Sequence, residues 1–355
     1  MAITNLTNIH PHIIQTHILP HLDGPSLSNA AAASSYLQTL CSDEHLWADV
    51  SASTWPSITH PRVQNLISTF PSGHRAFFHD AFPALVTSVN HRNLHRTLSK
   101  SQTDDESGSD HPWPAELVSA VDIRYKDDLI FSTVEFTDTT NDFLSPAFRV
   151  ELKNDVVNRN GDFGSIDLKV DELAGADQET LLHLKESVTL NWILIDPTLK
   201  RAGNLSSIKA IGARQDWMSN ETHLRYVVVL PGCGPNDVVQ CRIEVVLGAG
   251  KGGVGLHVKE VTLKLQDMDC SCLSGREFLV ITQGALLEEN NVKRKVVDDE
   301  EREKMYQRYK QMKKQRREWI KKEEEKMEFA IKLNNVLLFV SFFFSVYFLS
   351  LMLRS

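Results

Sequence analysis

His10-Pro11-His12-Ile13-Ile14-Gln15-Thr16-His17-Ile18-Leu19-Pro20-His21-Leu22, continued by Asp23-Gly24-Pro25-Ser26 and closed by Leu46-Trp47, is the stretch on which the reading of this chain turns. Apolar residues fall at Ile13, Ile14, Ile18 and Leu22, then at Leu27, Ala30, Ala31 and Ala33, then at Leu37, Leu40, Leu46 and Trp47. That spacing predicts three short amphipathic helices. A Pro in the first turn of a helix costs no hydrogen bond, and Asp23-Gly24-Pro25-Ser26 supplies a stop, a turn and an N-cap. A unit of about 40 residues buries too little apolar surface to stand alone with much margin, so a partner or a neighbouring domain must cover it.

At these residues the chain resembles an F-box, over residues 9–50. Pro11 stands on the family's Pro, Ile13, Ile14, Ile18 and Leu22 on its first-helix apolar positions, Leu27, Ala30 and Ala33 on its second, and Leu46-Trp47 on its close. His10 replaces the usual Leu, and Leu37 stands where many members have Trp. The resemblance implies binding of a Skp1-type adaptor and, through it, a cullin, with the rest of the chain selecting a protein substrate. Pro11, Ile13, Ile14, Ile18, Leu22, Leu27, Leu37 and Trp47 are then the expected adaptor-binding residues. Ser53-Thr54-Trp55-Pro56-Ser57 resembles a plant F-box subgroup that includes cytokinin-induced members with a C-terminal membrane segment.

The other end of the chain supplies such a segment. Val336 to Leu353 carries no charge and is about the length that spans a hydrocarbon core as a helix. Phe342, Phe343 and Phe344 leave it without a polar face. Lys321, Lys322, Lys326 and Lys332 precede it, against Arg354 after it, which predicts a single-pass tail anchor with the bulk of the chain cytosolic. Residues 297–332 contain helix formers and no Gly or Pro, and predict a charged helical stalk. Its basic centre, Lys310 to Lys322, suits anionic headgroups, so membrane lipid is an expected partner. Lys313-Lys314-Gln315-Arg316-Arg317 also reads as a nuclear-import cluster, which would give a nuclear pool.

Between the two ends, Lys100 to Pro112 is an acidic polar linker expected to be disordered. Short Val, Ile, Leu and Phe runs follow at Leu117–Tyr125, Leu129–Phe136, Phe148–Leu152, Phe163–Val170, Val188–Ile195, Leu224–Leu230, Val238–Leu247, Leu256–Leu265 and Phe278–Ile281. Alternation such as Val261-Thr262-Leu263-Lys264-Leu265 predicts strands with one buried face, and hence an antiparallel sandwich. The part containing Trp217 bears a loose likeness to phloem-lectin-type domains, without a residue-level motif.

The expected architecture is therefore α+β: a three-helix F-box at 9–57, a helical connector at 58–99, the linker at 100–112, a β-rich recognition domain at 113–290, the stalk at 297–332 and the transmembrane helix at 336–353.

Composition and motifs narrow the function. A formal net charge of -8 argues against nucleic acid as a partner of the whole chain. No basic stretch followed by a long apolar run opens the sequence, so no signal peptide is expected. Cys41, Cys233, Cys241, Cys270 and Cys272 lack paired spacing and are expected as free thiols without a metal. Pro20 interrupts the His17/His21 face, and no Glu follows His17 as a zinc hydrolase requires. The sequons at Asn5, Asn204 and Asn220 would lie on the cytosolic side. Gly250-Lys251-Gly252-Gly253-Val254-Gly255 resembles the phosphate loop of ParA-type ATPases, but Leu256 and His257 replace its Lys and Ser/Thr. A strand pattern also follows where a helix is needed, so it reads as a hairpin loop. Neither a catalytic residue nor a cofactor is expected. The alternative is an interaction protein of the membrane that uses the sandwich and takes no adaptor.

Overall fold

The computed structural model describes residues 10–83, 85, 113–153, 166–169, 178–233, 237–249, 254–288 and 299–353. The expected linker at 100–112 and most of the expected connector beyond residue 83 lie outside these. The chain forms two units, one up to Tyr306 and one from Gln307 onward.

The N-terminal helices are set by their caps. α1 (Pro11–His17) begins with its Pro in the first turn and runs into a 3-10 turn at Leu19–His21. α2 (Gly24–Ala33) starts at Asp23, whose carboxylate accepts from the Ser26 amide at 2.9 Å. The hydrogen bonds from Ser26 hold the Asp23 carboxyl below its ordinary range. Where the apolar spacing groups Leu37 to Trp47 as one helix, there are two: α3 (Ser35–Leu40), capped by Ser34, and α4 (Glu44–Thr54). The division falls at Asp43, whose carboxylate accepts from the His45 amide at 3.0 Å and starts a new helix. A 3-10 turn at Pro56–Thr59, α5 (Pro61–Ile67) and α6 (Gly73–Ala81) follow. Gly24 is fixed by close approach: a Cβ there would lie 1.8 Å from Cζ of Phe78.

Eleven strands build two antiparallel sheets among the described residues. The first contains β1 (Glu116–Tyr125), β2 (Asp128–Asp138), β5 (Val188–Asp196) and β6 (Arg201–Asn204) in the order β2-β1-β5-β6, with β7 (Ile208–Lys209) also beside β5. The second contains β3 (Arg149–Lys153), β8 (Gly212–Gln215), β9 (Thr222–Pro231), β10 (Val238–Ala249) and β11 (Val254–Gln266) in the order β3-β11-β10-β9-β8, with β4 (Ile166–Lys169) also beside β11. Leu190, Trp192 and Leu194 of β5 share a core with Leu224, Tyr226 and Leu230 of β9 and with Ile243 and Leu263 of the second sheet. The buried Tyr226 hydroxyl donates to the Val188 carbonyl at 3.0 Å, and burial pushes its pKa up. Along β11 the buried set passes from Leu256 and Val258 to Val261, Leu263 and Leu265. The change of phase is a bulge: Val246 faces Glu260 and Leu247 faces Val258, leaving Lys259 unmatched.

The first sheet is buried on both faces. Val118, Ala120, Ile193, Ile195 and Ala202 join a second core with Ile14, Leu27, Trp47, Trp55, Ile58 and Phe77. The layers run helices, sheet, sheet, and the N-terminal helices are continuous with the body they cap.

One expected strand is a helix. Phe278–Ile281 lies within α9 (Gly275–Glu288). Ser274 and Glu277 form a capping box, the Ser274 amide donating to Glu277 at 2.8 Å and the Glu277 amide to Ser274 at 3.4 Å. Phe278, Leu279, Ile281, Ala285 and Leu286 then bury one helical face, a pattern that a four-residue apolar run does not reveal. Two further helices, α7 (Asn141–Leu144) and α8 (Gln178–Ser187), together with the short strands β6, β7 and β8, had no counterpart in the apolar runs.

α10 runs unbroken from Asp299 to Met352, so the expected stalk and apolar segment form one helix of 54 residues, about 81 Å long. Phe339, Phe342, Phe343 and Phe344 are exposed on it. Among the described residues it is the helix long and apolar enough to cross a membrane.

Candidate functional site

The expected adaptor-binding residues separate into two sets. Ile14, Leu27 and Trp47 are interior, at 1%, 0% and 2% exposure. The Trp47 indole N–H donates to the Cys41 carbonyl at 2.7 Å, which ties α4 to the end of α3. These three side chains support the outer surface from beneath and are not free to meet a partner. Pro11 is exposed, Ile13 and Ile18 are 47% and 38% exposed, and Leu22 and Leu37 are half-buried. Large β-branched side chains on the solvent side of a short helix carry no folding benefit, so α1 offers an apolar outer surface among the exposed His12, Thr16, His17 and His21.

The inner side of the helical layer is joined to the first sheet by buried polar contacts. Asp122, 1% exposed in the middle of β1, accepts from the Ser57 amide at 3.0 Å, the Ser57 hydroxyl at 2.5 Å and the Ser132 hydroxyl at 2.7 Å. Burial pushes its carboxyl pKa up, against the opposing pull of those hydrogen bonds and of Arg124. Arg124 itself donates to the Ser53 carbonyl at 2.9 Å. Asp80 of α6 pairs with Arg201 of β6 at 2.6 Å, and both side chains are largely buried. Arg62 reaches Glu116 at 2.9 Å and lies 3.8 Å over the Phe136 ring, but both charged groups are well exposed and this pair contributes little. Ser53 to Ser57, singled out by its sequence, is thus the junction between helices and sheet. Asp122, Asp80 and Arg201 escaped the sequence reading; the usable signal was a lone carboxylate inside the apolar run Val118 to Ile123.

Elsewhere the arrangement offers little chemistry. None of the five cysteines forms a disulfide among the described residues, and burial pushes the Cys233 thiol up to about 11. Among the described residues there is no cluster of three metal-ligating side chains. Residues 250–253 of the glycine-rich loop lie outside the described residues; β10 and β11 pair antiparallel on either side of it, Ala249 opposite Leu256. Asn204 is buried and donates to Asn191 at 2.8 Å, which removes its sequon from the surface.

No family model matches the chain, and no solved structure matches it. Three curated proteins of Arabidopsis thaliana do. F-box protein At2g27310 is 37% identical over 79% of this chain and 79% of its own length. F-box protein At3g44326 is 35% identical over 77% of this chain and 72% of its own, and the probable F-box protein At2g36090 is 33% identical over 79% and 75%. With relatives of that identity and coverage, and helices whose outer surface is left apolar while the inner one is sealed on a sandwich, the chain belongs to the F-box proteins.

Proposed function

We propose that this chain is a substrate-recognition subunit of an SCF-type ubiquitin ligase held at a membrane. Pro11, Ile13 and Ile18, with Leu22 and Leu37 at the margin, meet a Skp1-type adaptor and through it a cullin. The sandwich selects the protein substrate, and the chain performs no catalysis of its own. The observation that carries this reading is the exposure of Ile13 and Ile18 on a layer whose other face is already buried. The apolar end of α10 supplies the anchor, and its basic stretch from Lys310 to Lys322 faces anionic headgroups on the cytosolic side. Tethering concentrates the ligase around membrane-associated substrates. The cytokinin-linked setting and the nuclear pool belong to the same proposal.

The test is co-purification of a Skp1-type adaptor with the full chain in detergent. The double variant Ile13→Asp, Ile18→Asp is expected to weaken adaptor binding about tenfold or more, because two charges replace apolar contacts, with no loss of thermal stability. Ile14→Asp cannot serve, since a charge at that buried position unfolds the layer. Undiminished binding by the double variant would overturn the assigned surface. An adaptor that never binds would favour the membrane-anchored interaction protein, a reading for which the shared core of helices and sheet also speaks.

A further inference from the structure

The outer face of the second sheet carries its charges in rows. In an antiparallel sheet directly paired residues share a face, and the register places Arg149 beside Lys264 and Lys264 beside Arg242 on three adjacent strands. Neighbouring strands lie about 4.8 Å apart, so three cations stand side by side. Like charges directly opposite one another destabilise a sheet. Arg149 is bridged by Glu151 at 2.6 Å and Arg242 by Glu244 at 2.9 Å, whereas Lys264, whose charge helps to hold the Glu151 carboxyl low, forms no close ion pair among the described residues. The next row, Glu151, Thr262, Glu244 and Arg225, carries two carboxylates against one guanidinium. Arg149, Lys264, Thr262 and Glu244 of these rows, with Lys259 and Glu260, line a shallow concavity of about 480 Å³.

A second, independent observation stands at the β8–β9 edge of the same sheet. The turn between β8 and β9 holds Trp217 and Met218 at 85% and 77% exposure. It is a built turn: the Asp216 carboxylate accepts from the Met218 amide at 2.8 Å, and the Asn220 amide donates to the Asp216 carbonyl at 2.9 Å. A preorganised exposed Trp loses little entropy on docking and is the residue type most enriched where binding energy concentrates.

We infer that this face is the docking surface for an extended acidic segment of a protein, with the Arg149-Lys264-Arg242 row receiving its carboxylates and Trp217 its apolar end. Glu221 at the turn and Val227 beside Arg242 are six residue steps apart along the extended chain, about 20 Å, which an extended segment of about six residues spans. The adjacent Glu151 and Glu244, on a chain of net charge -8, repel a uniformly anionic surface such as a bilayer or a nucleic acid. A peptide that interleaves carboxylates with neutral residues avoids that row. Naming the ligand a ligase substrate rests on the function proposed above; the docking surface itself does not.

The probe is an array of immobilised hexapeptides carrying zero to three glutamates and a leucine at either end. It is read with the full chain in detergent, bound to Skp1-type adaptor. Signal should rise with glutamate number, require the leucine, and fall about tenfold or more in Lys264→Glu and in Trp217→Ala, with adaptor retention unchanged. Lys264→Glu should at the same time raise the melting temperature by about 1–3 °C, since it breaks up the like-charge row; a merely structural lysine would not stabilise on reversal. Signal indifferent to glutamate number, variants that bind as the parent does, or preferential binding to phosphatidylserine vesicles or RNA would overturn the inference. Loss of adaptor retention in the parent chain would count against the ligase reading alone, because the peptide readout can be repeated on the chain without adaptor.

Discussion

Replacing Trp55 by Ala is expected to lower the free energy of unfolding by about 3–5 kcal/mol. Trp55 is 1% exposed and lies where helices meet sheet. Its ring sits 5.8 Å from that of Phe77, edge-on, and 5.1 Å from that of Phe78, which in turn touches Trp47 at 5.4 Å. Truncation opens a cavity in the middle of this aromatic group, and α4 and α6 cannot close it without leaving the sheet. Among the described residues the Trp55 indole N–H has no hydrogen-bond partner. Trp55→Phe therefore removes an unsatisfied buried donor while keeping most of the ring, and should cost only about 1 kcal/mol. Urea denaturation followed by circular dichroism measures both. Because helices and strands share a core, the transition of the compact unit should remain single. An unchanged midpoint in Trp55→Ala would show that the layers do not depend on one another.

Asp122 governs the same junction by a different force. Asp122→Ala leaves the Ser57 amide and two hydroxyls without their acceptor and should cost about 3 kcal/mol, most of it from the buried amide. Asp122→Asn keeps one acceptor oxygen and should cost under about 1 kcal/mol. The pair of variants also separates hydrogen bonding from charge. The folded carboxyl has its pKa raised above the ordinary 3.8, chiefly by burial. The folded state therefore holds the proton to higher pH than the unfolded state does. Stability from this group is full below pH 3.8, falls as pH rises through the raised value, and is constant beyond it. Asp122→Asn should remove that component, so that the difference between parent and variant grows in favour of the variant as pH rises across the window. A parallel pair of pH–stability curves would contradict the assignment.

The ends of the chain were legible because their signals are local. Asp23, the proline in the first turn of α1 and the uncharged run from Val336 each act within a few residues, and the structure places a helix at each. The long strands were legible for the same reason, since alternation such as Val261 to Leu265 reports one buried face directly. What escaped depends on distant partners. Phe278–Ile281 reads as a strand until Ser274 and Glu277 are seen to cap each other. Leu27 and Trp47 look like contact residues until they are seen to be buried in the core that the N-terminal helices share with the first sheet, with Trp47 against Phe78. Helical periodicity identifies an apolar side but not what it packs against, so the division between supporting and outward-facing residues needed the fold.

Hydrogen exchange of the full chain, with and without saturating Skp1-type adaptor, tests whether α1 is the adaptor surface. New protection is expected only in the α1 region, residues 11–22, and the neighbouring α3, with residues 55–81 and β1 unchanged because they are already buried against one another. Protection that appears instead in the junction or on the sandwich, or none at saturating adaptor, would contradict that assignment.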